Sequence, residues 1–151
     1  MRHAIMIWLT FLCLSVVAQT KKVIFVCEHG AAKSVIAATY FNKLAEERGL
    51  LSYEGLCRGT FPDPVLTQGT IDGLKRDNLL DPKLTPQKLV INDTTNVERI
   101  IFFTEIPADF KTNIRYEDWS SLTNLDADYS KRRDAIIKKL NELLDSLEKH
   151  K

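Results

Sequence analysis

The chain opens on a near-continuous apolar run, Ala4 to Val17, and its next apolar block is much shorter, Val23-Ile24-Phe25-Val26, ending at Cys27. A block of that length reads as a strand, and burial on both faces is what a parallel sheet imposes. The small loop Glu28-His29-Gly30-Ala31-Ala32 follows, then Lys33-Ser34. Ile36, Ala37, Tyr40, Phe41 and Leu44 then recur at helical spacing, with Arg48 and Gly49 as stop signals. Leu51 to Cys57 reads as a weaker second strand, ended by Arg58-Gly59-Thr60. Between Phe61 and Asn78 the pattern thins: Pro62 and Pro64 suit the opening of a helix through Leu66 and Leu74, which Gly69 and Gly73 weaken. Asp81-Pro82 and Thr85-Pro86 mark loops or a helix start, Pro86 being suited to a first helical position. Val97 to Thr104 predicts a third strand, and Asn113 to Trp119 has room for a short fourth. Tyr129, Ile136, Ile137, Leu140, Leu143, Leu144 and Leu147 stripe a long C-terminal helix. Strands alternating with helices predict an α/β fold, a doubly wound four-stranded parallel sheet with helices on both faces.

The first apolar run changes the picture of where the domain begins. Arg2 and His3 precede it and Val16-Val17-Ala18 closes it, so residues 1–18 read as a secretory signal peptide cut after Ala18. Residues 19–151 are then one domain, exported to a periplasmic or secreted location, with membrane contact expected only if the leader stays uncleaved. Removing Arg2 brings the 21 lysines and arginines level with the 20 acidic residues, a balance that argues against nucleic acid as a partner. Two of the three cysteines, Cys27 and Cys57, remain.

The chemistry concentrates after the first strand. In open α/β sheets, ligands bind beyond the carboxyl ends of the strands, where loop N–H groups and a helix start favour anions. Cys27 stands there as a nucleophile candidate. Gly30 permits a positive φ, Ala31 and Ala32 leave space, Lys33 adds charge, and Ser34 can cap the helix and donate to the sulfur. The expected partner is a phosphate-bearing substrate or another tetrahedral oxyanion, with no cofactor and no metal.

A strand ending in Cys, five residues, a cation and a helix-opening Ser resembles the phosphate loop of the low-molecular-weight protein tyrosine phosphatases, whose fold the thioredoxin-fuelled arsenate reductases share. Cys57-Arg58-Gly59-Thr60 and Phe61-Pro62-Asp63-Pro64 resemble the turn after their second strand and the proline-rich segment that follows. Val97 to Thr104, Trp119 and Arg133-Asp134-Ala135-Ile136 resemble their third strand and closing segment. The resemblance implies that Cys27 attacks phosphorus to give a phosphocysteine, that Glu28 to Ala32 hold the oxyanion with Lys33 and Ser34, and that a downstream Asp protonates the leaving group.

Several departures bear on that expectation. Lys33 replaces an arginine, a point charge in place of a planar fork. His29 stands where the family has glycine, either as a substrate contact or proton carrier or as a solvated loop residue. Glu28 puts a negative charge beside the site and is expected to point away. The Asp-Pro of the family's general acid is replaced after Trp119 by Ser120-Ser121-Leu122-Thr123, leaving Asp118, Asp126 and Asp128 as candidates, each otherwise a solvated loop carboxylate or, for Asp126 and Asp128, an N-cap to the last helix. Thr104 or Glu105 and Ala32 fall where relatives carry further cysteines, so a three-thiol relay is excluded. Cys57, at the end of a neighbouring strand, is either a reversible disulfide partner of Cys27 or a buried filler. The resulting expectation is a weak cysteine-dependent phosphatase, with a non-catalytic oxyanion or phosphopeptide binder and an arsenate reductase using an external thiol as alternatives.

Overall fold

A computed structural model describes residues 19–111, 114–124 and 128–149. The proposed signal peptide and Asp126 lie outside them. The order is β1 (Lys21–Cys27), α1 (Lys33–Glu47), β2 (Tyr53–Gly59), α2 (Gln68–Arg76), β3 (Val97–Phe102), β4 (Tyr116–Asp118) and α3 (Tyr129–Glu148). Short 3-10 turns occupy Ile91–Thr94, Ala108–Phe110 and Ser120–Asn124. All strand pairs are parallel, in the order β2-β1-β3-β4, so β1 is central and its carboxyl end is flanked by two neighbours.

That placement explains why β1 is apolar throughout: Val23 to Val26 are fully buried. Val23, Phe25 and Cys27 join the core with Val35, Phe41, Ile136 and Leu140 beneath the α-helices. Ile24 and Val26 pack on the other side with Leu89, Ile100, Phe102 and Phe110. The second face is therefore covered by 3-10 turns and loops, and the α-helices pack together over the first. Among the described residues no helix is long and apolar enough to cross a membrane.

Helix ends follow local chemistry. Gly49 takes φ +68° and closes α1, with its N–H on Glu46 O and that of Leu50 on Ala45 O. Helix α2 starts later than the prolines suggest, because Thr67 caps it by accepting from Thr70 N. No helix begins at Pro86; Gln87 to Leu89 instead run extended against Gly59. Asp128 caps α3 by accepting from Lys131 N. At the far end of α2, Asp77 accepts hydrogen bonds from Tyr40 (2.7 Å) and Tyr129 (2.9 Å) and meets Arg133 at 3.2 Å, tying three helices together. Burial alone would raise the Asp77 carboxyl, but these three donors outweigh it and hold it below the usual range.

Candidate active site

Cys27 ends β1, and residues 28–32 curve from it into α1. Four carbonyls of this segment are claimed by a second loop. Cys27 O accepts from Thr60 N (3.1 Å), Glu28 O from Phe61 N (2.8 Å), His29 O from Asp63 N (3.0 Å) and Ala31 O from Thr67 N (3.2 Å). In a trans peptide the N–H of the next residue points opposite to the carbonyl, and no described peptide is cis. The N–H groups of Glu28, His29, Gly30 and Ala32 are thereby turned inward. Among the described residues none of them donates to the protein's own backbone or side chains, nor do those of the first turn of α1 before Ile36. An array of N–H donors at a helix start favours negative charge.

Two glycines make the close approach of the loops possible. Gly30 takes φ +60°, and a Cβ on Gly59 would sit 2.8 Å from Gly30 N. Gly59 cannot retreat, because its N–H donates to Gln87 O (2.8 Å) and its carbonyl accepts from Leu89 N (2.9 Å). Beyond that anchor, Arg58 grips Asp93 through Nε (3.0 Å) and Nη2 (2.8 Å), fixing β2 to the 3-10 turn at Ile91–Thr94.

The side chains complete the cradle. The Cys27 sulfur lies 3.1 Å from Ser34 Oγ, and both residues are buried. Ser34 does not cap α1, contrary to expectation: it is the second helical residue, and Ala32 occupies the cap position without a side-chain bond. Ala31 is fully buried against the core. A cavity of about 130 Å³ stands over the thiol, lined by Glu28, His29, Ala31, Ala32, Lys33 and, from the second loop, Asp63 and Thr67. That is smaller than sites for drug-sized ligands and suits a small ion or group. Half-buried Lys33 has its ammonium pKa lowered chiefly by desolvation and also by Arg132, against raising effects of Cys27 and Glu28. Glu28 is at the rim, with its side chain 62% exposed, and it also borders a broader cleft of about 410 Å³ that reaches Phe61, Thr104 and Lys111.

Three expected participants are elsewhere. Asp118 at the end of β4 lines a separate pocket with Thr104, Lys111 and Ser120, and hydrogen bonds from Ser120 hold its carboxyl below the usual range. It does not line the cavity over Cys27, and a carboxyl so stabilised in its charged form is a poor acid. Asp128 is occupied as a helix cap. Cys57 and Cys27 are both free thiols. The register pairs Cys27 with Gly59 and Cys57 with Phe25, so the two cysteines are offset by two residues along neighbouring strands. Strand rise and spacing place their Cα atoms about 8 Å apart, beyond disulfide reach without backbone movement. The expected disulfide is thus not supported, and burial pushes the Cys57 thiol up, keeping it protonated.

Sequence reasoning missed Asp63 and Thr67 as site residues. The available signal was the pair Gly59 and Gly30, two small residues at the ends of adjacent segments, with Pro62 and Pro64 restricting the stretch between.

No protein-family model and no curated protein sequence matches the chain. Solved structures do. The Corynebacterium glutamicum thioredoxin-dependent arsenate reductase Cg_ArsC1' superposes with a TM-score of 0.73 at 19% identity, over 90% of this chain and 66% of that one. YwlE arginine phosphatase, as a cysteine-to-serine mutant with phosphorylated active-site serine, gives 0.70 at 19% identity over 85% and 96% of the chains. A low molecular weight protein tyrosine phosphatase from Bacillus subtilis gives 0.66 at 19% identity over 85% and 97%.

Proposed function

We propose, from the premise that this fold is the one shared by low-molecular-weight phosphatases and thioredoxin-dependent arsenate reductases, that the chain is a cysteine-dependent phosphatase. The observation that carries the reading is the inward N–H array closing over Cys27, with Ser34 Oγ 3.1 Å from the sulfur. The Cys27 thiolate attacks phosphorus while the loop N–H groups and Lys33 hold the non-bridging oxygens, and charge building there is met by preorganised donors. The ester oxygen departs, leaving a phosphocysteine. Water then attacks phosphorus, the sulfur leaves as thiolate to which Ser34 can donate, and inorganic phosphate is released. A phosphorylated active-site serine in the YwlE mutant is consistent with covalent phosphorylation at the equivalent step.

Lys33 makes such an enzyme slow. Substituting a point charge for a bidentate fork forfeits about 1.5–3 kcal/mol, or about 10- to 150-fold in rate if felt mainly in the transition state. A second reading, an oxyanion binder without turnover, is favoured by the position of Asp118 outside the cavity.

Hydrolysis of p-nitrophenyl phosphate by the reduced full-length protein separates the readings. The phosphatase reading expects turnover that Cys27→Ser abolishes and Lys33→Arg raises about tenfold or more. No turnover in the parent or in Lys33→Arg, with inorganic phosphate still raising the melting temperature, would replace it by the binder. Arsenate-dependent oxidation of an added low-molecular-weight thiol would redirect it to arsenate reduction.

A further inference from the structure

The second loop brings to the thiol cavity a carboxylate that the mechanism above leaves unused. Asp63 lines that cavity together with His29. Its Oδ1 is 3.2 Å from His29 Nδ1, and its backbone N–H donates to His29 O at 3.0 Å, so the two residues are joined through side chains and main chain at once. Pro62 and Pro64 bracket Asp63 and limit its backbone freedom. The opposite nitrogen, His29 Nε2, has Glu28 Oε2 at 3.8 Å, beyond hydrogen-bond reach, and is left open to exchange. The remaining ionisable groups on the cavity wall are Lys33 and Cys27. One imidazole nitrogen within reach of a carboxylate, on a ring that lines the thiol cavity and is 58% exposed to exchange protons with solvent, suits a proton carrier.

We propose that His29 and Asp63 form the proton-transfer pair of this site, His29 as the catalytic acid and base and Asp63 as its positioning residue. The proposal rests on the phosphatase reading. As the Cys27 S–P bond forms and the ester O–P bond breaks, the proton on His29 Nε2 passes to the departing oxygen, leaving a neutral imidazole and a free alcohol. When water attacks the phosphocysteine, its proton goes to the same nitrogen. The S–P bond then breaks with its electron pair on sulfur, and phosphate leaves with the thiolate and the imidazolium restored. Asp63 Oδ1, 3.2 Å from Nδ1, steadies the ring through both steps while Nε2 serves the departing oxygen and then the water. The pair stands where a single aspartic acid is wanting, and it accounts for a histidine and an aspartate meeting at the mouth of a thiol cavity.

The test is the dependence of kcat on the leaving group, because an acid matters most when the departing oxygen is basic. The full-length reduced protein, His29→Asn, Asp63→Asn and the double variant are compared on phenyl phosphate and p-nitrophenyl phosphate. Competitive inhibition by inorganic phosphate reports on the cradle. The expected result is a fall of about 10²-fold or more on phenyl phosphate and under about tenfold on p-nitrophenyl phosphate. The phosphate inhibition constant stays within about threefold, and the double variant is no worse than the poorer single one, as for residues acting as a unit. Equal losses on both substrates, or a leaving-group effect absent here and present in Asp126→Asn or Asp118→Asn, would overturn the pair and keep the phosphatase. A parent that hydrolyses neither substrate would overturn both.

Discussion

Replacing Gly59 by alanine tests whether the second loop holds the cradle open to an anion. Gly59 is at ordinary negative φ, so the new methyl brings no backbone strain and acts by contact alone. Its Cβ would lie 2.8 Å from Gly30 N, 3.0 Å from His29 C and 3.1 Å from Glu28 O, all of them backbone atoms. Relaxing the closest of these to an ordinary contact of about 3.5 Å needs a shift of about 0.7 Å. Gly59 is pinned to Gln87 and Leu89, so the cradle loop has to move. The same shift stretches the Thr60–Cys27, Phe61–Glu28 and Asp63–His29 bonds, now 2.8–3.1 Å, toward or beyond hydrogen-bonding range. Overpacking and one or two weakened bonds together cost about 2–4 kcal/mol of stability. Displacing even one N–H from a bound oxyanion weakens its affinity about tenfold or more. Urea unfolding at constant m measures the first effect, and the rise in melting temperature with inorganic phosphate measures the second. Gly69→Ala is the control: that glycine is exposed in α2 with nothing within 4 Å, and alanine there should add about 0.5–1 kcal/mol without touching phosphate protection. A Gly59→Ala protein within about 0.5 kcal/mol of the parent, with unchanged phosphate protection, would refute the close contact and the inward orientation of the N–H groups argued from it.

Two further outcomes follow from named contacts. Gly73→Ala should destabilise the fold by about 2–4 kcal/mol despite improved helix propensity. Its Cβ would run into the ring of Tyr129, whose hydroxyl holds Asp77; thermal unfolding of Gly73→Ala, Tyr129→Ala and the double variant should show strong non-additivity. The second outcome concerns pH. Burial lowers Lys33 below its ordinary 10.5, so between its folded value and 10.5 the unfolded chain binds more protons and the free protein gains stability as pH rises. Phosphate protection should fall over the same interval as the ammonium is lost, and Lys33→Arg, always charged, should abolish that fall; calorimetry with and without phosphate reads both.

What the sequence disclosed was local. A thiol after four apolar residues, a glycine and two alanines, then Lys33 and Ser34 on a helix are contiguous, and the structure assembles them within one strand–loop–helix. The α3 stripe and its Asp128 cap were equally readable because helical periodicity and capping are short-range. What escaped depends on contacts between distant segments. Asp63 reaches the cavity only because residues 60–67 lie along the cradle, and no periodicity records that Phe61 N–H faces Glu28 O. Pro86 looked like a helix start because its fixed φ suits both a first turn and an extended segment, and pairing with Gly59 decides between them. Ser34 looked like a cap because it follows a loop; the helix begins one residue before it. Asp118 stands next to the stretch where the resemblance leads one to expect an Asp-Pro, but at the end of β4 it lines another pocket.

The donors turned into the cradle are mostly peptide groups, and so are the bonds that orient them. Side chains at 60–67 are therefore largely decoupled from the cradle's floor: Phe61 and Val65 are 76% and 67% exposed while the neighbouring main chain does the holding. The walls of this site can be rewritten to suit a new substrate without rebuilding its base. The converse also holds. Transplanting Cys27 to Ser34 alone onto another strand and helix would carry the nucleophile and lose the cradle, because half of what shapes it belongs to a stretch of chain that begins at Gly59.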